Sequence, residues 1–181
     1  MSEIVNGKSV ETNDDITSSI VSIEVGHHKI HDGKMFYAEH HDAEMTDTDK
    51  IEMVLVTPNS DVRIHLIPGA GVTGEATLEL FRDVVTTTPN GDGTVLTNDN
   101  RDENSSEEAT LVVTHTPSIS SDGDLRQTRY YGSTGLAGTA TSGDDIRGVN
   151  ERILEKNTKY LLRLTAHGNI KGRTYANWYE V

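Results

Sequence analysis

Apolar residues recur at every second position through much of the chain, which is the spacing of half-buried β-strands. The alternation runs over Val21, Ile23 and Val25, over Val62, Ile64 and Leu66, over Ala76, Leu78 and Leu80, and over Tyr160, Leu162 and Leu164. Residues 51–56 are instead almost continuously apolar, which predicts a strand covered on both sides. Further strands are predicted at 34–38, 110–114, 126–131 and 173–180. The only helix-compatible window is short, at about Asp145 to Glu155.

Turn-forming residues separate these strands. Asp32-Gly33 is a tight-turn signal, Pro58 to Asp61 turns the chain, and Pro68-Gly69-Ala70-Gly71 is expected to close the strand before it. Residues 98–108 are too polar to enter a core, and Gly132 to Gly148 is a long glycine-rich excursion. Many short strands without a β-α-β rhythm predict an all-β fold, a single antiparallel β-sandwich that is jelly-roll-like.

The first residues differ from the rest in being polar and rich in turn formers. Residues 1–18 are therefore predicted to be an extended, flexible N-terminal arm, and residues 19–181 the β-sandwich domain. Two interpretations of the arm stay open. It is either simply disordered or it becomes ordered against a neighbouring subunit.

Charge and cysteine content exclude several classes of function. The chain of 181 residues has 16 Lys and Arg against 29 Asp and Glu, a formal net charge of −13, and no cysteine. Such a surface repels phosphate backbones and anionic lipids, so neither nucleic acid nor a membrane is an expected partner. No apolar run approaches the roughly 20 residues that span a bilayer. The expected place of synthesis is a host cytoplasm.

Histidines crowd into one segment and form the sharpest metal candidate. His28, His31 and His40, with His27, His41 and the nearby carboxylates of Asp32, Glu39 and Asp42, could supply zinc or manganese ligands. Neighbouring histidines on a strand point to opposite faces, so each pair offers one member to a site. Solvated strand ends flanking a turn explain the segment better, and no metal or other cofactor is predicted.

The other candidate binding and catalytic sites also lack residues that they would need. Residues 88–99 have an oxygen-rich composition, but Thr88 and Asp99 stand where a calcium loop needs an acid and a bidentate glutamate. Tyr175, Trp178 and Tyr179 could stack against a sugar, although a core or interface role fits a small domain better. The chain has no nucleophile elbow, phosphate-binding glycine loop or zinc-protease motif. The sequence therefore predicts no catalytic residues and a protein that is not an enzyme.

Four segments together resemble a family of virion accessory proteins of tailed bacteriophages. They are His28 to Phe36, then Gly93-Thr94 with Asn98-x-Asn100-Arg101 and Ser105-Ser106, then Ile153-Leu154 with Asn157 to Leu164, and finally Trp178-Tyr179-Glu180. The resemblance runs from about residue 20 to the C-terminus. The chain departs from the family pattern in the acidic residues Asp99, Asp102 and Glu103 of the central loop.

The resemblance implies a non-enzymatic structural protein located on the capsid surface of a virion. Its expected role is that of a capsid decoration, or cement, protein that binds the major capsid protein and stabilises the shell. It is expected to be a homo-oligomer, with a trimer preferred. The alternative is a carbohydrate-binding β-sandwich module on a head fibre or a tail-associated adhesin.

Overall fold

Antiparallel strands form nearly all of the regular secondary structure in a computed structural model that describes residues 3–5, 8–11, 21–87, 94–95, 99–132 and 150–181. The strands, numbered along the chain, are β1 (Glu3–Val5), β2 (Lys8–Glu11), β3 (Val21–Glu24), β4 (Met35–Met45), β5 (Lys50–Val56), β6 (Ile64–Val72), β7 (Ala76–Arg82), β8 (Val85–Thr86), β9 (Thr94–Val95), β10 (Asp99–Asn100), β11 (Val112–His115), β12 (Ile119–Ser121), β13 (Asp124–Tyr131), β14 (Arg152–Ile153), β15 (Lys159–Ala166) and β16 (Ile170–Glu180). One helix, α1 (Val25–His31), lies between β3 and β4. No helix in the described residues is long and apolar enough to cross a membrane.

Two large sheets pack in a sandwich. One has the order β10-β4-β16-β6-β14 and the other the order β13-β7-β15-β5-β11-β9. Their edges meet on both sides, because the His40 ring on β4 contacts the His115 ring on β11, and Arg129 on β13 donates to the Pro68 carbonyl on β6. The predicted antiparallel β-sandwich is confirmed, whereas its jelly-roll-like character stays a prediction.

The core lies between these sheets and includes the only tryptophan. Trp178 is fully buried and stacks on Phe36, with ring centres 5.7 Å apart, while Leu162 and Leu164 approach from the other sheet. Residues Met53, Val54 and Leu55 are all fully buried, which confirms a strand covered on both sides. Val54 packs on the outer face in a second cluster with Phe81, Val84 and Leu161.

The prediction that Pro68 to Gly71 ends a strand is wrong, because β6 continues to Val72. β14 pairs only with His65 and Leu66, so Pro68 lies beyond that pairing, where a missing N–H is tolerated. The glycines admit side chains from β16. A Cβ at Gly69 would lie 2.4 Å from Cζ of Tyr175, and one at Gly71 would lie 2.9 Å from Nε of Arg173.

The helix prediction is also wrong in the described residues. Residues 150–155 contain β14 rather than a helix, and residues 145–149 lie outside the described part. Helix α1 instead occupies 25–31, where alternation predicted a strand through Val25. It ends at His31 and is followed by Gly33, whose φ of 66° is the left-handed conformation that closes helices. His28 and Asp32 pair across one turn at 3.1 Å.

The segment predicted as an N-terminal arm includes β1 and β2, and β2 pairs with β3. The domain boundary at residue 18 and the arm's engagement with a neighbour stay predictions. Residues 133–148 of the glycine-rich excursion lie outside the described residues. Residues 88–93 and 96–98, which make up most of the candidate calcium loop, also lie outside them.

Candidate functional site

A buried carboxylate fixes the chain at one end of the five-stranded sheet. Glu180, at the end of β16, accepts hydrogen bonds from the backbone N–H of Thr110 (2.9 Å), its hydroxyl (2.8 Å), the N–H of Leu111 (3.2 Å) and Nε1 of Trp178 (3.2 Å). A buried charge is tolerated only when such donors replace water. Glu180 therefore binds the segment before β11 to the end of β16.

The loop that leads to this segment is held by its own side chains. Nδ2 of Asn100 donates to the carbonyl oxygens of Gly33 (2.7 Å) and Glu107 (3.1 Å), and its Oδ1 accepts from the N–H of Asp102 (3.0 Å). Ser105 lies so close to Gly33 that a Cβ there would be 2.1 Å from its Oγ. The polar loop 100–108 consequently has a defined shape on the protein surface.

Part of each of the four segments that carry the family resemblance lies at this end of the sheet. The N–H of Glu180 donates to the carbonyl of Lys34 at 3.1 Å, and the N–H of Arg101 donates to that of Met35 at 2.9 Å. Ile64 pairs with Glu180 across the sheet, and its carbonyl accepts from the N–H of Leu154 at 2.9 Å. We call this assembly, residues 33–35, 64, 100–111, 154 and 178–180, the Glu180 joint.

The candidate metal ligands are not brought together. His28 and His31 lie on α1, whereas His40 lies on β4 and contacts His115. Within the described ranges, no three His, Asp or Glu side chains form a group that could hold a metal ion. Two imidazoles bound to one zinc ion at about 2.1 Å would have ring centres roughly 5 Å apart. The centres of the His40 and His115 rings are 4.3 Å apart and their planes are tilted by 41°, so the rings are in direct contact.

The His40–His115 contact carries an electrostatic cost. Burial lowers the pKa of His40, and the neighbouring His115 and His41 lower it further, while Asp42 acts in the opposite direction. The lowered pKa favours the neutral ring of His40. This pair joins the two sheets at the edge formed by β4 and β11.

The aromatic trio belongs to the packed structure. Tyr175, Trp178 and Tyr179 are all buried, which confirms the interpretation as core rather than as a sugar platform. The hydroxyl of Tyr179 donates to Oε1 of Glu151 at 2.6 Å, and Nδ1 of His65 lies 2.7 Å from the same oxygen. Sequence reasoning missed this His65–Glu151–Tyr179 cluster because Glu151 is distant along the chain and carries no motif.

Large apolar side chains are exposed along the opposite edge of the sandwich. On β13, Leu125 is 53 % and Tyr130 is 81 % exposed, and on β14 Ile153 is 60 % exposed. Arg126 and Arg152 are exposed on the same two strands. We call these five residues the edge patch. The strand registers put Leu125 and Tyr130 on the outer face of the six-stranded sheet and Ile153 on the outer face of the five-stranded sheet. Aromatic and arginine side chains are enriched at protein interfaces, so this edge is the best candidate binding surface.

Comparison with known proteins adds no relative: no family model, curated protein or solved structure matches the chain. The resemblance seen in the sequence thus stays a prediction. The case for a function rests on the geometry of the Glu180 joint and of the edge patch.

Proposed function

We propose that the protein is a non-enzymatic structural component of a phage virion, a capsid decoration or cement protein that binds the outer head surface. The observation that carries this proposal is that part of each of the four resembling segments lies at the Glu180 joint. Residues 33–35, 100–106, 154 and 178–180 of these segments contact one another there, so a part of the resemblance concerns one structural unit. This supports a structural framework shared with that family.

A decoration protein stabilises the shell because its binding is thermodynamically linked to shell expansion. A protein whose binding site exists only on the expanded shell stabilises that shell by its binding free energy. Many identical copies multiply a modest contact energy. A loop that is already ordered loses little conformational entropy on docking, and the hydrogen bonds of Asn100 order loop 100–108 while those of Glu180 fix the residues that follow it.

Binding of carbohydrate is the alternative that the sequence left open. Its expected platform, the rings of Tyr175, Trp178 and Tyr179, is buried and therefore closed to a sugar. A glycan array checks this directly. Sub-millimolar binding of a defined glycan would favour the adhesin over the cement protein.

The proposal is tested with phage shells that lack the protein. Purified protein is mixed with unexpanded and with expanded shells, and binding is measured by co-sedimentation. We expect saturable, stoichiometric binding to expanded shells, little binding to unexpanded shells, and a raised melting temperature of the decorated shells. Equal binding to both forms, or no binding to either, would overturn the proposal.

A further inference from the structure

A second, smaller sheet lies on the outer face of the six-stranded sheet. Among the described strands, β8 and β12 pair only with each other and with no strand of the two large sheets. We call residues 83–87 and 116–123, which contain these two strands, the strap. A ribbon of two short strands is marginally stable by itself, so the strap keeps its place through its contacts with the sheet beneath it.

The strap covers apolar side chains that point away from the core. Val54, Leu161 and Phe81 are paired directly across β5, β15 and β7, so they share one face of the sheet. They form a cluster separate from the core, and Val84 and Ile119 of the strap pack on it. Val54 and Leu161 are fully buried. Displacement of the strap would therefore expose apolar surface to water.

Left-handed backbone conformations occur where the strap joins the large sheet. The φ angles are 62° at Asp83, 51° at Thr116 and 80° at Gly123. Asp83 follows β7, Thr116 follows β11 and Gly123 precedes β13. For a β-branched residue such as Thr116 this conformation is strained, and it persists because the surrounding contacts impose it. The closed strap thus stores strain that its displacement would release.

Two side chains of β15 fasten the strap to the sheet. The guanidinium of Arg163 donates two hydrogen bonds of 2.6 Å to the carboxylate of Asp122, and Nζ of Lys159 donates to Oγ1 of Thr86 at 2.7 Å. Arg163 also donates to Glu52 on β5 at 2.6 Å, which fixes its position. A bidentate, charge-assisted pair is the strongest of these contacts. The Asp122–Arg163 pair is therefore the main polar attachment of the strap.

We propose that the strap is a lid that opens and closes on an intact sandwich, with the Asp122–Arg163 pair as its latch. In the open form the β8–β12 ribbon leaves the sheet and the apolar cluster beneath it becomes accessible. Because the ribbon shares no described strand pairing with the large sheets, its opening breaks none of their ladders. Opening is thus a local event of lower free energy than global unfolding. It is a property of the free protein and does not depend on a capsid.

Thiol labelling tests the lid, since the chain has no cysteine of its own. Val54→Cys places a thiol beneath the strap, and Val113→Cys places one between the two large sheets, where the side chain is equally buried. We expect iodoacetamide to label Val54→Cys at least about tenfold faster under native conditions. Urea below the unfolding transition should accelerate the labelling of Val113→Cys steeply and that of Val54→Cys only slightly, because opening exposes less surface than unfolding.

Substitution of Asp122 tests whether its ion pair is the latch. Asp122→Ala should raise the labelling rate of Val54→Cys about fivefold or more, because the bidentate pair with Arg163 is lost. Asp124→Ala is the matched control. This exposed carboxylate lies two residues along the chain and 3.9 Å from Arg82, so its loss should leave the labelling rate unchanged.

An open form can also be imposed where the strap meets β13. A Cβ at Gly123 would lie 2.1 Å from the carbonyl oxygen of Arg82, so Gly123→Ala is incompatible with the closed strap. In this variant Val54→Cys should react rapidly while Val113→Cys stays protected, and circular dichroism should show the wild-type strand content. Equal labelling of the two thiols with or without Gly123→Ala, no acceleration by Asp122→Ala, or protection of Val54→Cys in the Gly123→Ala protein would each overturn the lid.

Discussion

At the scale of single residues, Glu180 is a side chain on which a large loss of stability is expected. Glu180→Ala removes the acceptor of the N–H groups of Thr110 and Leu111. Because those buried donors lose a charged partner, we expect the free energy of unfolding to fall by about 2–4 kcal/mol. Urea denaturation measures it. Glu108→Ala, on the exposed part of the same loop, is the matched control with an expected change near zero; equal effects would contradict the assignment.

The contact between His40 and His115 predicts a pH dependence of stability. The folded-state pKa of His40 is lowered below 6.5, so the unfolded chain binds this proton more readily. Stability is therefore highest above pH 6.5, and is lost as pH falls through 6.5 toward the lower folded-state pKa. Urea midpoints at about pH 7.5 and about pH 5.5 measure the loss. His40→Phe should keep the ring contact with His115 and reduce the loss; an unchanged pH dependence would contradict the prediction.

At the scale of elements, the close approach of β6 and β16 depends on Gly69. Gly69→Ala would place a Cβ against the ring of Tyr175, and such overpacking costs about 1–3 kcal/mol. A double-mutant cycle isolates this contact. Gly69→Ala should destabilise the wild type but cost clearly less in a Tyr175→Ala background. Additive effects of the two substitutions would mean that the glycine is needed for another reason.

Arg163 connects three elements on the outer face of the six-stranded sheet. From β15 its guanidinium contacts Glu52 on β5 and forms two 2.6 Å bonds to Asp122, and it lies 5.2 Å above the Phe81 ring. Arg163→Ala leaves both carboxylates without this cation, and we expect a loss of about 3 kcal/mol in urea denaturation. Arg163→Lys keeps the charge but not the bidentate geometry, so it should recover part of that loss. Equal losses for the two variants would show that the positive charge alone stabilises nothing and that only the guanidinium geometry matters.

Strands could be predicted where the alternation of apolar residues dominates the local sequence. They were predicted wrongly where contacts with residues distant along the chain decide the structure. Leu78, Leu80, Leu162 and Leu164 alternate in sequence and face the core in the structure. The turn signal in β6 was misleading because its glycines make room for side chains of β16, about 100 residues away along the chain. Likewise, exposure of the edge patch follows from the order of strands in each sheet, which periodicity does not encode.

At the scale of the whole molecule, two segments that contribute no described strand to the two large sheets are candidates for reaching a neighbour on the shell. They are the arm at 1–18 and the glycine-rich excursion at 132–148. One variant lacks residues 1–18, and the other replaces residues 133–148 with a Gly-Ser linker of equal length. Neither change removes a described strand of the two large sheets, so we expect both variants to fold.

Capsid occupancy then reports what each segment contributes. A segment that binds a neighbour adds contact energy to every copy, so its loss should lower occupancy at equal protein concentration. Occupancy is measured by quantitative gel analysis of purified decorated shells, with thermal unfolding of the free variants as the control for folding. We expect at least one variant to bind more weakly. Unchanged occupancy in both would assign docking to the sandwich itself, and would leave its exposed edges as the surfaces that hold the shell.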